Sequence, residues 1–174
     1  MMFRQNLAPK EALFVEAMRA NYDQPLAALN KWKMLTKLYP DFLSAKSAYA
    51  YFVWQQANRY DEAIENAEAA ISPHNANGTA SRYLLGTLYL GNERYEDALQ
   101  QFKEVNAVPG TPVMFYAAAH AAQRQFSRVG SLLSQESRTS TDTVPTRFRA
   151  SIAMDRGDWI EARDVLRRAS SLTG

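Results

Sequence analysis

The side chains able to move protons are few in this chain. There are two histidines, His74 and His120. His74 sits in the polar run SPHNANG, where an imidazole is solvated, and His120 sits in YAAAHAAQ, where small apolar neighbours point to a packing role. The carboxylates Asp61, Glu62, Glu65 and Glu68 crowd one short stretch. They read as an exposed surface near a helix start, where negative charge favours the macrodipole, with nothing beside them that would raise a pKa. No HExxH, GxSxG, phosphate-loop or dinucleotide glycine pattern occurs. The chain has no cysteine, which removes thiolate nucleophiles, disulfides and thiolate metal centres. The reading is of a protein that is not an enzyme, with no catalytic residues, no metal and no cofactor. Function must then lie in a surface.

Composition narrows the class of partner. With 47% apolar residues in 174, the chain can bury a continuous core. The net charge is +2, too small for a dedicated nucleic-acid or membrane-surface binder. From Gly110 onward nine arginines stand against six acids, but they are scattered along the chain. A phosphate-binding surface would group them. The opening MMFRQNLAPKEAL lacks the apolar core of a signal peptide, and no run approaches a membrane span. A cytoplasmic protein is expected, with no nucleic acid and no membrane among its partners. The sequon Asn77-Gly78-Thr79 reads as a turn.

The elements that must build such a surface are repeated. NRYDEAIENAE at 58–68 and NERYEDALQQF at 92–102 share a pattern with GDWIEARDVLR at 157–167. Tyr60, Tyr95 and Trp159 are each followed by an alanine, Ala63, Ala98 and Ala162. Ala67, Phe102 and Leu166 come four residues later, then Ala70, Val105 and Ala169 three beyond those. These spacings place each set on one face of a helix. Ahead of each stands a second helical segment, marked by Ala50-Tyr51 with Trp54, Leu85-Gly86 with Tyr89, and Arg149-Ala150 with Ala153. The turns between fall at Asn58-Arg59, Gly91-Asn92 and Gly157-Asp158. Two degenerate copies complete the series, one through Ala28, Trp32 and Leu35, the other through Tyr116-Ala117, His120, Phe126, Val129 and Leu133. Ala28, Ala63, Ala98, Val129 and Ala162 are separated by 35, 35, 31 and 33 residues.

A period near 34 with these residues resembles the tetratricopeptide repeat (TPR) family over almost the whole chain. The copy at 79–109 carries the most of its signature, in Leu85, Gly86, Tyr89, Ala98 and Phe102. Tyr51 stands where the family has a small residue, Val129 replaces the second-helix alanine, and Gly130 weakens a helix interior. The resemblance implies an all-α, right-handed solenoid of about five helix–turn–helix hairpins in a single domain spanning 1–174, with repeats near 9–40, 44–76, 79–109, 110–136 and 143–174. The predicted helices are 9–21, 25–38, 42–57, 60–72, 79–91, 95–107, 111–124, 126–136, 144–156 and 159–172. All seven prolines fall at or between these ends. Gly86 and Ala98 are expected to face each other across one hairpin.

In that family the first helices line a concave groove, so the resemblance also nominates a site. It comprises Ala45, Ala48, Phe52 and Gln55 in the second repeat, Tyr83, Thr87 and Leu90 in the third, Met114, Ala118 and Ala121 in the fourth, and Arg147, Ser151 and Met154 in the fifth. Family members that clamp a chaperone's terminal carboxylate use lysine, arginine and asparagine there; this chain has mostly apolar residues. An apolar floor rimmed by Gln55, Arg82 and Arg147 suits an amphipathic helix or an apolar extended peptide. Three or four such side chains contribute about 1.5–3 kcal/mol each when buried. Association costs on the order of 4–15 kcal/mol, so micromolar affinity is expected. The function implied is a protein-interaction scaffold. Two alternatives stand beside it: a self-associating, homodimeric module, and a regulatory segment of a larger bacterial signalling protein. The second rests on local similarity of LAPKEALFVEAM and LAALNKWKMLTKLYPDFL to TPR regions of bacterial cyclases and transcription regulators.

Overall fold

The computed structural model describes residues 7–106, 113–136 and 143–170. Wherever apolar residues recur at helical spacing, a helix forms. Among the described residues there are ten: α1 Pro9–Asp23, α2 Pro25–Leu38, α3 Leu43–Ala57, α4 Tyr60–Ala70, α5 Gly78–Gly91, α6 Tyr95–Asn106, α7 Val113–Ala122, α8 Phe126–Glu136, α9 Thr143–Asp155 and α10 Trp159–Ser170. Pro9 and Pro25 are first residues of α1 and α2, where a missing N–H costs nothing. Pro40 and Pro73 lie between helices, and Pro145 lies in the first turn of α9. Pro109 and Pro112 lie outside the described residues.

Helix ends depart from the sequence reading where side chains intervene. Helix α4 stops at Ala70, short of the expected 72. The Asn75 amide reaches back to the Ala70 carbonyl at 2.7 Å, while its Oδ1 accepts the Asn77 N–H at 3.0 Å. One buried asparagine thus closes α4 and shapes the SPHNANG loop leading to α5. The carbonyls left over at a helix end need such partners.

Packing divides the chain into two compact units, Met1–Gln101 and Phe102–Gly174, with the division falling inside α6. In the first, α1 packs on α2, α2 on α3, α3 on α4 and α4 on α5. Trp32, Leu35, Val53, Leu85 and Leu88 are fully buried there beside Ala28, Ala63, Ala67 and Ala70. The degenerate first repeat is secured by aromatic packing. Phe14 meets the Trp32 ring edge-on at 5.1 Å, and Phe52 stacks on its other side at 5.5 Å. The indole Nε1–H donates to Asn21 Oδ1 at 3.2 Å. In the second unit α7 packs on α8, α8 on α9 and α9 on α10. Its core gathers Ala117, Val129, Leu133 and Ile152, with Ala121, Phe126, Leu132 and Phe148 against them.

Candidate functional site

The turns inside the hairpins set which side of each first helix faces out. Among the described residues, the positive-φ positions are Asn58 (53°), Glu93 (59°), Arg124 (59°) and Gly157 (80°). Each stands two residues before the aromatic that opens the second helix, namely Tyr60, Tyr95, Phe126 and Trp159. The sequence had placed one turn at Gly91-Asn92; the left-handed residue there is Glu93, and Gly91 still belongs to α5.

In three of these turns the hydrogen bonds are the same. Arg94, Gln125 and Asp158 donate N–H to the carbonyls of Tyr89, His120 and Ala153, at 2.8, 2.9 and 2.8 Å. Glu93, Arg124 and Gly157 donate to Leu90, Ala121 and Met154 inside those loops. This paired pattern satisfies the last carbonyls of a helix that ends in a left-handed residue. After α3 the chain does otherwise. Asn58 donates to Trp54 at 2.9 Å and Arg59 to Val53 at 3.4 Å. That turn holds one more residue between its acceptor and its left-handed position.

The extra residue shifts α3 by one relative to the sequence alignment. Ala50, fully buried, takes the small-residue position that Gly86, Ala117 and Ala150 take in later repeats. Tyr51, assigned to it by sequence, is instead 47% exposed. The residues of α3 matching Tyr83, Thr87 and Leu90 are therefore Ser47, Tyr51 and Trp54. Of the nominated residues, Ala45 is buried, Ala48 is half-buried and Gln55 is exposed. Phe52 lies in the hairpin packing against Trp32.

Within the first unit, α3 and α5 meet near their N-terminal ends. Ser47 and Ser81 hydroxyls meet at 2.6 Å, and Asn77 Nδ2 reaches Ser44 Oγ at 3.5 Å. Tyr51 packs edge-on to Phe52 at 5.2 Å and to Trp54 at 6.3 Å. On α5, Tyr83, Thr87 and Leu90 are half-buried, and the Thr87 hydroxyl is returned to the Tyr83 carbonyl at 2.9 Å. Arg82 is turned to α6, donating to Gln101 at 3.1 Å. In the second unit Met114, Ala118 and Ala121 are half-buried on α7, and Ser151 and Met154 are exposed on α9. The Arg147 side chain lies outside the described residues.

This architecture of helical hairpins has counterparts among solved structures. A Podosopora anserina protein described as a kinesin light chain with nearly identical TPR-like repeats superposes with a TM-score of 0.75 at 17% identity, covering 95% of this chain and 96% of that one. A MamA double mutant superposes with a TM-score of 0.73 at 13% identity, covering 95% and 96%. The fold is TPR-like. No protein-family model and no curated protein sequence matches the chain.

The TPR-like frame also explains the polar groups that drew attention in the sequence. Glu62 does not sit on an open surface as its neighbours Asp61 and Glu65 do. It is half-buried and joins three helices, accepting from Tyr49 of α3 at 2.6 Å and Lys33 of α2 at 2.9 Å, and pairing with Arg59 at 3.3 Å. The Tyr49 hydroxyl bond, with Lys33 and Arg59, holds the Glu62 carboxyl below the usual range; burial opposes this. Burial and Glu62 push the Tyr49 phenol well up. The Tyr89 phenol donates to Glu68, and burial together with that carboxylate pushes it up to about 12. Arg94 lies over the Tyr89 ring, 4.1 Å from its centroid. The Lys33–Glu62 and Tyr89–Glu68 contacts tie one TPR-like hairpin to the next, while Tyr49–Glu62 and Arg94–Tyr89 close within a hairpin.

The two histidines sit in opposite surroundings. His120 is buried, its Nδ1 is 2.9 Å from Gln125 Oε1, and its ring meets Tyr116 edge-on at 5.0 Å. His74 is exposed, and its backbone N–H donates to Ser72 Oγ at 3.2 Å. No group of three or more metal-binding side chains occurs among the described residues. No helix of the described residues is long and apolar enough to cross a membrane.

Proposed function

We propose that the chain is a protein-interaction module that holds an amphipathic helix or an apolar extended segment of a partner on the α3–α5 face of its first unit. The observation that carries this reading is Tyr51. It is a large aromatic, 47% exposed, edge-on to half-buried Trp54 on the side of α3 next to α5. Thr87 and Leu90 continue the same face. Tyrosine and tryptophan offer large contact areas at small entropic cost, and they are enriched where partners bind. Extended or helical peptides are held by such rows of apolar anchors. The solved neighbours, at 17% and 13% identity, support the fold on which such a face is built.

Crosslinking capture in cells of origin tests the reading. Tyr51→Glu and Thr87→Glu should each abolish capture while circular dichroism keeps the full helical signal. Capture unchanged in both variants sinks the proposal.

Self-association is a second reading, favoured by one specific feature. On α10, Trp159 is 66% exposed, Ile160 68% and Leu166 44%. A dimer seen by light scattering and dissolved by Leu166→Glu supports it. A monomer at every concentration removes it.

A further inference from the structure

In the second unit, one helix carries a glycine beside a cavity. The residue following the repeat's second-helix marker is Ile64 after Ala63, Leu99 after Ala98 and Gly130 after Val129. Ile64 is buried, 7% exposed, and Leu99 is half-buried. Gly130 supplies nothing to that space, and a Cβ added there would meet no atom within 4 Å. Beside it opens a cavity of about 240 Å³ lined by Phe126, Val129, Leu133, Ile152, Arg149 and Arg156, with Gly130 and Glu161 at its edge.

The lining states what would fit. The phenylalanine, valine, leucine and isoleucine side chains in its lining favour an aliphatic group. The charged groups are two arginines and one glutamate. Arg149 donates one bond from Nη2 to the Leu133 carbonyl, and Arg156 stands 3.8 Å from Glu161 in a loose pair. The balance is one positive charge in an open cavity of mixed apolar and charged lining, and arginine is suited to a carboxylate. We propose that this cavity binds a leucine- or isoleucine-sized side chain carrying a carboxylate beside it, such as a peptide's C-terminal residue. The site is separate from the α3–α5 face, and either can fail without the other.

The test uses the full chain with isotope-labelled methyl groups and N-acetyl-leucine as the probe. Saturable shifts at Val129, Leu133 and Ile152 are expected. Its amide, lacking the carboxylate, should bind at least severalfold more weakly. Gly130→Leu places at the cavity an aliphatic side chain like Leu29, Ile64 and Leu99 of the first three repeats, so it should melt no lower than the parent and lose the shifts. Gly130→Ala fills little of it and should keep them. Shifts that persist in Gly130→Leu, or that never saturate in the parent, overturn the site. Equal binding of acid and amide overturns the carboxylate.

Discussion

The Tyr60 ring of α4 lies against Gly91 at the end of α5, so close that a Cβ built on Gly91 would come within 2.7 Å of the phenol oxygen and 2.8 Å of a ring carbon. The aromatic that opens α4 thus sits where a side chain on Gly91 would meet it. Substituting Gly91→Ala forces the ring aside. Overpacking costs about 1–3 kcal/mol, and the gain in helix propensity offsets about 1 kcal/mol. A net loss of about 1 kcal/mol is expected in urea unfolding. In a Tyr60→Ala background the same change should become stabilising; a loss of the same size there would show that Tyr60 is not the cause.

The four left-handed turn residues should respond oppositely to glycine and alanine. A non-glycine residue in this region costs about 1–2 kcal/mol, asparagine less. Glu93→Gly and Arg124→Gly are expected to raise stability by about 0.5–1 kcal/mol, and Gly157→Ala to lower it by about 1 kcal/mol. Asn58→Gly should change little. Thermal midpoints of the four variants suffice, and a fall in both glycine variants would contradict the shared geometry.

Glu62 should make the fold sensitive to acid. Its folded pKa lies below that of a free carboxylate, chiefly through the Tyr49 hydroxyl bond. The ionised group therefore contributes stability above about pH 4.3, the ordinary glutamate value. That contribution disappears as pH falls through the lower, folded value. Glu62→Gln should cost about 1 kcal/mol at neutral pH, as expected for loss of a hydrogen-bonded charge, and progressively less as the pH falls through the folded value. A gap that stays constant with pH would remove ionisation from the explanation.

Phe52 and Tyr51 are neighbours with opposite duties. Phe52 stacks on the buried Trp32, so Phe52→Ala should cost about 2–3 kcal/mol, somewhat under the full-burial value. Tyr51 is 47% exposed, and Tyr51→Ala should cost well under 1 kcal/mol. If the face binds a partner, the order reverses for affinity. Chemical denaturation and a binding titration on the same two proteins separate the cases.

Much of this architecture was legible in the residues. Alanine and aromatic spacing identified the helices, and proline placement marked their limits. The His120 environment also read correctly as packing. On α3 the sequence register came out one residue off, because alignment on Tyr60 carried Phe52 outward and Tyr51 inward. No residue type signals the longer turn, because Asn58, Glu93, Arg124 and Gly157 share a dihedral angle and little else. Glu62 misled for a similar reason. Its neighbours Asp61 and Glu65 are solvated, and only Lys33 and Tyr49, 29 and 13 residues earlier, separate it from them.

The sequence by itself determined the repeating helical hairpins and the lack of any recognisable catalytic motif. Both depend on short-range facts: propensity, helical periodicity and the residue types present. Tertiary structure decided the register of α3, the bare backbone demanded by Tyr60, the three-helix role of Glu62 and the cavity beside Gly130. Each of those depends on which atoms from distant segments come to occupy the same space. A period of about 34 residues records that hairpins stack, but the side chain that fills or leaves a gap is settled only when they do.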